Sequence, residues 1–430
     1  MNAPSAKHRR SLTHVGGEAE TAGNREVATA LAFALDVEPS TSVVARARGG
    51  EQAKTDDDPD RAHVHGFHSY PARMHPTTAA RLVAAISNAG STVLDPFCGS
   101  GTVLVEAMLA GRSALGTDLN PIAILLAQLK TTPCDASARE SLVARARAVG
   151  AFANSRRERK AGATRRYSPE DVALFDPHVL LELDSLRVGI GSHPGVGDET
   201  PKHALELVLS SILVKVSRRM SDTSTATTPR RIAAGFPTNL FVRKAEELAR
   251  RMGDFAALLA HQSRKNTTAV AALDDAGRLR TIGASTVDAI VTSPPYVANY
   301  DYLEHHSLRM RWLALDTRDL VAREIGARRR YAKMDAGTAE VAWKRELSAA
   351  LRAMSRVCRP GARVALLVAD SAVGGQALRA DSILSTIAPE AGFAVLARAS
   401  QRRPVFHGPS ARAFERAPRS EHAIALVKRA

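Results

Sequence analysis

The run Ser293-Pro-Pro-Tyr296 places a hydroxyl group, two prolines and an aromatic ring side by side. It follows Val287-Asp-Ala-Ile-Val-Thr292, a short segment rich in apolar and β-branched residues that predicts a buried strand. Proline fixes φ and lacks an amide hydrogen, so the carbonyl groups of Ser293 and Pro294 are not committed to regular structure. The sequence therefore predicts a rigid strand end that presents hydrogen-bond acceptors and a ring.

These groups suit the activation of an exocyclic amine on a nucleic-acid base. The lone pair of such an amine is delocalised into the ring, and acceptors placed at its hydrogens localise that pair for attack on a sulfonium methyl. We predict Ser293 and the Pro294 carbonyl as the acceptors, Pro295 as the second rigid residue, and Tyr296 as the ring that stacks on a flipped base. The alternative for this run alone is a Pro-Pro turn that only ends a core strand.

A glycine-rich turn about two hundred residues upstream favours the first interpretation. Ser91-Thr-Val-Leu-Asp95 predicts a buried strand, and Thr102 begins an amphipathic helix that extends to about Leu109. Between them, Gly99 and Gly101 permit close approach of a ligand to the backbone where a strand turns into a helix with free N-terminal amides. The pattern predicts a cofactor site.

A second strand and helix follow in the order that such a site requires. Ser113-Ala-Leu-Gly-Thr-Asp118 predicts a strand that ends in an acid, the usual device for holding two ribose hydroxyls. Asn120 and Pro121 then begin the next helix, where proline is suited to an early position. Further along, Asp274 or Asp275 ends another predicted strand, and we favour Asp275 for the contact to an adenine amine.

Several of these runs resemble the motifs of N4-cytosine and N6-adenine DNA methyltransferases. The resemblance rests on Asp95-Pro-Phe-Cys-Gly-Ser-Gly-Thr102, Gly116-Thr-Asp-Leu-Asn-Pro121 and Thr292-Ser-Pro-Pro-Tyr296. Upstream, Phe67-His-Ser-Tyr-Pro-Ala-Arg-Met-His-Pro76 resembles the segment that packs over the methionine end of the cofactor. Downstream, the strand within Arg359–Ser371 resembles the one after the catalytic motif. The resemblance covers residues 63–130 and 268–430.

This resemblance implies S-adenosyl-L-methionine as the cofactor and double-stranded DNA as the substrate. It implies cofactor contacts from Tyr70, Pro71, His75, Asp95, Pro96, Phe97, Gly99, Gly101, Thr102, Asp118, Asn120 and Asp275. Serine before the two prolines is commoner in the cytosine-N4 enzymes, so we favour cytosine-N4 over adenine-N6. An RNA base-amino methyltransferase and an inactive, DNA-binding homologue remain alternatives, and a cognate restriction endonuclease is a candidate partner.

The expected fold is α/β: a doubly wound, seven-stranded, mostly parallel sheet of the Rossmann-like class I methyltransferase type. We expect a flexible N-terminal arm at residues 1–60, with a helix from Glu26 to Val37, and a catalytic domain at 61–130 and 268–430. Residues 131–267 predict a helical insertion with a hydroxyl-rich loop at Ser221–Arg231, a candidate target-recognition region. The alternative is a helical cap over the sheet.

The composition is compatible with a nucleic-acid partner but does not by itself identify one. The chain has 430 residues and a net charge of +15, with 59 Lys and Arg against 44 Asp and Glu. Such a charge favours a polyanionic partner. The alternative is that the many arginines reflect a GC-rich genome, which encodes arginine in place of lysine.

Three unpaired cysteines fit a reducing cytoplasm and give no zinc pattern, and no membrane span is expected. The histidines at 63, 65, 68 and 75 lack a nearby carboxylate or cysteine cluster in sequence, so we expect no metal.

Overall fold

The computed structural model describes residues 17–37, 59–192, 203–261, 267–403 and 411–429. Its strands, in chain order, are β1 (Glu20–Gly23), β2 (Thr92–Asp95), β3 (Ser113–Asp118), β4 (Arg219–Ser221), β5 (Ser224–Thr227), β6 (Ala269–Leu273), β7 (Val287–Thr292), β8 (Cys358–Ala369), β9 (Ser371–Val373), β10 (Gln376–Leu378), β11 (Phe393–Arg402) and β12 (Ser420–Lys428). Eight of them form one sheet in the order β1-β11-β12-β8-β7-β2-β3-β6.

Helices connect these strands and cover the sheet. They are α1 (Arg25–Leu35), α2 (Pro76–Ile86), α3 (Thr102–Leu109), α4 (Pro121–Thr131), α5 (Ala136–Glu158), α6 (Pro169–Leu174), α7 (Pro177–Ser192), α8 (Ala204–Leu213), α9 (Phe236–Ala260), α10 (Tyr302–Trp312), α11 (Arg318–Arg323), α12 (Arg328–Tyr331), α13 (Ala336–Val357) and α14 (Ala380–Ile387). Within the described ranges, none of these helices is both long enough and apolar enough to cross a membrane.

The five strands at one side of the sheet run parallel and place their carboxyl ends at one edge. β2 lies between β3 and β7, with Leu94 opposite both Leu115 and Ile290. Val93 and Leu94 are fully buried, as expected for a strand covered on both faces. Because the chain leaves β2 for β3 on one side and returns as β7 on the other, the strand order reverses here, and ligands bind at such a switch point.

The predicted doubly wound, mostly parallel α/β fold is confirmed, with eight strands instead of seven. The additional strand is β1, which pairs antiparallel with β11 from Glu20↔Ser400 to Gly23↔Ala397. The last strands, β12 and β11, are antiparallel to their neighbours. The number of strands differs from the prediction because β1 has only four residues, all of them exposed. Such a segment lacks the apolar alternation by which a strand is recognised in a sequence.

The expected arm at residues 1–60 is wrong for the part that the structure describes. Residues 17–37 form β1 and α1, and the predicted helix near Glu26–Val37 is confirmed as Arg25–Leu35. The helix is ordered because Leu31 and Leu35 are completely buried at helical spacing, and Asn24 caps it by accepting from the Val27 amide at 3.1 Å. Residues 1–16 and 38–58 of the expected arm lie outside the described residues.

The segment at 131–267 is mainly helical, and its buried side chains share one hydrophobic cluster with α4. The loop expected at Ser221–Arg231 is wrong in its first half, where β4 and β5 pair antiparallel as a hairpin. Its hydroxyl residues are largely threonines, which are β-branched and favour strands, and the two-residue connection Asp222-Thr223 allows a tight turn.

Two glycines provide a matched test of how tightly the glycine-rich loop between β2 and α3 packs against α4. Both Gly101 and Gly111 have positive φ, at 85° and 75°. A Cβ at Gly101 would lie 2.9 Å from the Cα of Ala127 in α4, whereas a Cβ at Gly111 would meet no atom within 4 Å.

We therefore expect Gly101→Ala to lower the free energy of unfolding by about 1–3 kcal/mol more than Gly111→Ala. Both variants lose the left-handed backbone preference of glycine, and only the first also overlaps α4. Urea titration of the three proteins measures the difference. Equal losses in the two variants would contradict the close packing of the loop against α4.

Candidate functional site

The ends of β2 and β7 are joined by a buried hydrogen bond. The Thr292 hydroxyl donates to Asp95 Oδ1 at 2.6 Å, and the Phe97 amide donates to the same oxygen at 3.1 Å. Asp95 is 3% exposed, and burial raises its pKa to about 7. This bond fixes the glycine-rich loop, which follows Asp95, relative to the run that follows Thr292.

The end of β3 holds the same loop from its other side. Asp118 accepts the Gly99 amide with Oδ2 at 2.9 Å and the Asn120 amide with Oδ1 at 2.8 Å. Burial raises the pKa of Asp118 to about 6. Each carboxylate oxygen retains a second lone pair, so Asp118 can shape the loop and still accept from a ligand.

Tyr70 closes over the loop. Its hydroxyl accepts from Asn120 Nδ2 at 3.3 Å, and its ring stacks on His306 with a centroid distance of 4.8 Å. A Cβ at Gly99 would lie 3.2 Å from the Tyr70 ring, so only glycine fits without displacing it. The segment around Tyr70 therefore covers the glycine-rich loop.

A cleft that encloses about 820 Å³, part of it open to solvent, lies at this edge of the sheet. It is lined by nine of the residues predicted for the cofactor: Tyr70, Asp95, Pro96, Phe97, Gly99, Thr102, Asp118, Asn120 and Asp275. Ser293 and Pro295 of the predicted catalytic run line it as well. The structure thus brings residues from four strand ends to one cavity.

Three residues predicted for the cofactor do not line this cleft. Gly101 caps the start of α3 and packs against Ala127 of α4. The absence of a side chain at Gly101 permits this contact. His75 caps α2, where its Nδ1 accepts from the Thr77 amide at 3.2 Å, and it lines a second cavity instead. Pro71 lies in the turn that follows Tyr70 and lines neither cavity.

The second cavity, of about 710 Å³ and also partly open, meets the first at Ser293. Its walls include Pro294, Tyr296, Tyr300 and Tyr302. Residues shared by both cavities are Ala72, Arg73, Met74, Ser293 and Tyr302. Ser293 therefore lies between a cleft that borders the glycine-rich loop and a cavity with aromatic walls.

Tyr296 is held in the second cavity by a buried network. Its hydroxyl donates to Glu421 Oε1 at 3.2 Å, and Arg403 Nε donates to Glu421 Oε2 at 2.9 Å. Burial and the Glu421 carboxylate raise the pKa of Tyr296 well above its usual range. The bond to Glu421 holds the hydroxyl end of a ring that sequence reasoning assigned to stacking.

Sequence reasoning missed Tyr302, Arg403 and Glu421. Tyr302 follows the catalytic run closely and its aromatic ring was a usable signal. Arg403 and Glu421 lie more than one hundred residues away, on or next to β11 and β12, so only the sheet order brings them to the site.

The two acids after β6 differ in their surroundings. Asp274 Oδ2 accepts from both the amide and the hydroxyl of Thr281, each at 2.7 Å, and Asp274 does not line the cleft. Asp275 lines it, and its Oδ1 accepts from the Gly277 amide at 2.8 Å. The geometry favours Asp275 for a ligand contact, in agreement with the sequence interpretation.

The upstream histidines have a carboxylate partner that the sequence interpretation did not foresee. His65 Nε2 lies 2.6 Å from Glu106 Oε1, and the ligand atoms of His63, His65 and Glu106 all lie within 4.8 Å of one another. Burial, together with the charges of His63 and Lys130, lowers the pKa of His65 well below its usual range. We assign no metal to this cluster.

Part of the chain is similar in sequence to known methyltransferases. Residues 43–129 match the model of the N6/N4 methylase family, described as DNA methylase. The Type II methyltransferase M.MjaII of Methanocaldococcus jannaschii is 37% identical over 73 residues, 17% of this chain and 14% of that protein. M.MvaI of Kocuria varians, also a Type II methyltransferase, is 38% identical over 77 residues, 17% of each chain.

The tRNA (guanine(10)-N2)-dimethyltransferase of Methanothermobacter thermautotrophicus is 41% identical over 61 residues, which is 14% of this chain and 18% of that protein. Each similarity therefore spans less than a fifth of the relative's length.

The raised pKa of Asp95 gives a pH-dependent prediction. Because its pKa is about 7 in the folded protein and 3.8 in an exposed chain, the folded state binds this proton more tightly. The stability that Asp95 contributes is full below about pH 4 and is lost as pH rises through about 7. Asp95→Asn keeps Oδ1 as the acceptor for Thr292 and Phe97 and does not titrate.

We expect the variant to gain stability relative to the wild type as pH rises from 4 to 8, on the order of 1 kcal/mol per unit of pKa difference. Urea unfolding at several pH values measures this. If the difference in unfolding free energy between the two proteins does not change with pH, the pKa of Asp95 is not raised in the folded protein.

Proposed function

We propose that this chain is a DNA methylase of the N6/N4 family, whose model residues 43–129 match. We propose further that it transfers a methyl group to the exocyclic amine of a base flipped out of double-stranded DNA. The observation that carries the proposal is the meeting of two cavities at Ser293. One cavity has the loop and acids of a cofactor site, and the other has aromatic walls that suit a base.

S-adenosylmethionine is the cofactor, and the first cavity fits it. Asp118 keeps free lone pairs for ribose hydroxyls, and the hydroxyls of Ser100 and Thr102 are buried without a hydrogen-bond partner. Asp275 is placed for the adenine amine, and Gly99 lets the backbone approach closely. When bound, this cofactor supplies a methyl group on a sulfonium.

The second cavity would hold the base. Ser293 Oγ and the Pro294 carbonyl accept the two amine hydrogens, which concentrates the nitrogen lone pair toward the first cavity. Tyr296 stacks on the base, and its hydroxyl bond to Glu421 prevents the ring from turning away. Proline at 294 and 295 removes backbone donors that would otherwise occupy these acceptors.

Cytosine-N4 is the proposed position, because serine precedes the two prolines, and adenine-N6 is the alternative. We propose residues 131–267 as the target-recognition region, the cytoplasm as the location, and a restriction endonuclease as a candidate partner, in line with the Type II relatives. The positive charge of the chain suits contacts to DNA phosphates.

The test is a product analysis. The protein is incubated with labelled S-adenosylmethionine and mixed-sequence duplex DNA, and the digested nucleosides are identified by mass spectrometry. We expect N4-methylcytosine. Methyl transfer by Ser293→Ala should fall by about 10- to 100-fold, because one acceptor at the amine is lost, with unchanged cofactor affinity.

Ser382→Ala, at an exposed position on α14, is the matched control and should retain full activity. N6-methyladenine would change the proposed base, and label in RNA alone would replace the DNA substrate. Cofactor binding without any product would contradict methyl transfer itself.

The two neighbouring acids after β6 provide a second test. We expect Asp275→Ala to weaken binding of S-adenosylmethionine about tenfold, the value of one hydrogen bond to a charged group. Asp274→Ala should change it little, because Asp274 holds Thr281 outside the cleft. Isothermal titration measures both affinities. A larger loss in Asp274→Ala would reverse the assignment.

A further inference from the structure

The hairpin β4–β5 is fastened to α10, the helix that follows the catalytic run. Arg219 is buried, and its guanidinium donates across the hairpin to the Ser224 carbonyl at 2.9 Å and to the Glu304 carbonyl of α10 at 3.4 Å. At the turn, Asp222 forms an ion pair with the buried Arg309 of α10. The hairpin is therefore held at its base and at its turn and has a fixed orientation.

The other face of the hairpin has no packing partner among the described residues. Side chains alternate along a strand, so Met220 points away from α10 when Arg219 points toward it. The Met220 side chain is 56% exposed, and Thr225 and Ala226 of the opposite strand are exposed as well. A methionine beside an exposed threonine is a surface that can make both apolar and hydrogen-bonding contacts.

The hairpin is linked to the second cavity through α10. Tyr302, the first residue of α10, lines both cavities, and Glu304 follows within the same helical turn. The carboxylate of Glu304 also pairs with Arg328 at 3.1 Å, and the Arg328 side chain is half exposed. The hairpin is thus attached to the helix whose first residue lines both cavities.

Arginines with exposed side chains occur next to the hairpin in sequence and beside the helix that holds it. Arg218 precedes β4, pairs with Asp176 at 2.6 Å and has a side chain 42% exposed, and Arg231 lies exposed shortly after β5. Arg328 pairs with Glu304 of α10. This arrangement matches DNA recognition, in which arginines contact phosphates and a central element reads the bases.

We propose that the β4–β5 hairpin enters the major groove next to the flipped base and reads the neighbouring base pairs with Met220 and Thr225. A two-stranded ribbon fits the major groove, where methyl groups contact thymine and hydroxyls contact base edges. Arg218, Arg231 and Arg328 bind the flanking phosphates. This inference rests on the proposed function and names the element that gives it sequence preference.

The experiment compares duplexes in which each base pair beside the methylated position is varied in turn, with kcat/KM measured for each. The Met220→Ala/Thr225→Ala double variant should lose about tenfold or more of the discrimination between the best and the worst duplexes. Its affinity for S-adenosylmethionine should equal that of the wild type, which shows that the fold is intact. Val341→Ala, at a still more exposed position on α13, should change nothing.

Arg231→Gln serves as the contrasting variant. It should weaken binding to all duplexes alike and reduce the slope of log affinity against log salt by about 1, without changing their ranking. Full wild-type discrimination in the double variant would overturn the role of the hairpin while leaving methylation in place. A wild-type protein that methylates no DNA would instead overturn the proposed function, and the role of the hairpin with it.

Discussion

The hydrogen bond from Thr292 to Asp95 is the constraint on which the site depends. It joins the carboxyl ends of two adjacent parallel strands, and the chain continues from one end into the glycine-rich loop and from the other into Ser293-Pro-Pro-Tyr296. A displacement of either strand would separate the two cavities that share Ser293. The bond is buried and short, so it acts as a fixed reference between the two halves of the site.

Burial of acids at the strand ends has an electrostatic cost. Asp95 and Asp118 both have raised pKa values, because desolvation disfavours their charged forms. Backbone amides and the Thr292 hydroxyl offset part of this cost. Both carboxyl groups line the first cavity, so a positively charged ligand bound there would favour their ionised forms.

The sequence predicts the parallel half of the sheet well, since β2, β3, β6 and β7 each combine an apolar run with a turn signal at the end. Most residues that it predicts for the site line the first cavity together, because Asp95, Gly99, Asp118 and Ser293 lie at or shortly after the ends of those strands. It does not predict Arg403 and Glu421, which reach the site through antiparallel pairing of distant strands. Such long-range pairing leaves no local pattern.

Short or exposed elements were also beyond sequence reasoning. The hairpin at Arg219–Thr227 carries polar residues on both strands, and its position depends on the ion pair of Asp222 with the distant Arg309. The carboxylate beside the histidines is another case, because Glu106 is separated from His65 by 41 positions and meets it only through the packing of α3. These misses share one cause: tertiary contacts, not local preference, place the residues.

The short strand β1 has a consequence for how the molecule avoids self-association. Without it, the ten-residue β11 would end the sheet and offer a long row of free backbone donors and acceptors to another chain. Four exposed residues of β1 occupy that row from Ala397 to Ser400, and α1 packs behind them. The outermost strand is then too short to template a partner, and the segment before the catalytic domain serves as a guard against edge-to-edge aggregation.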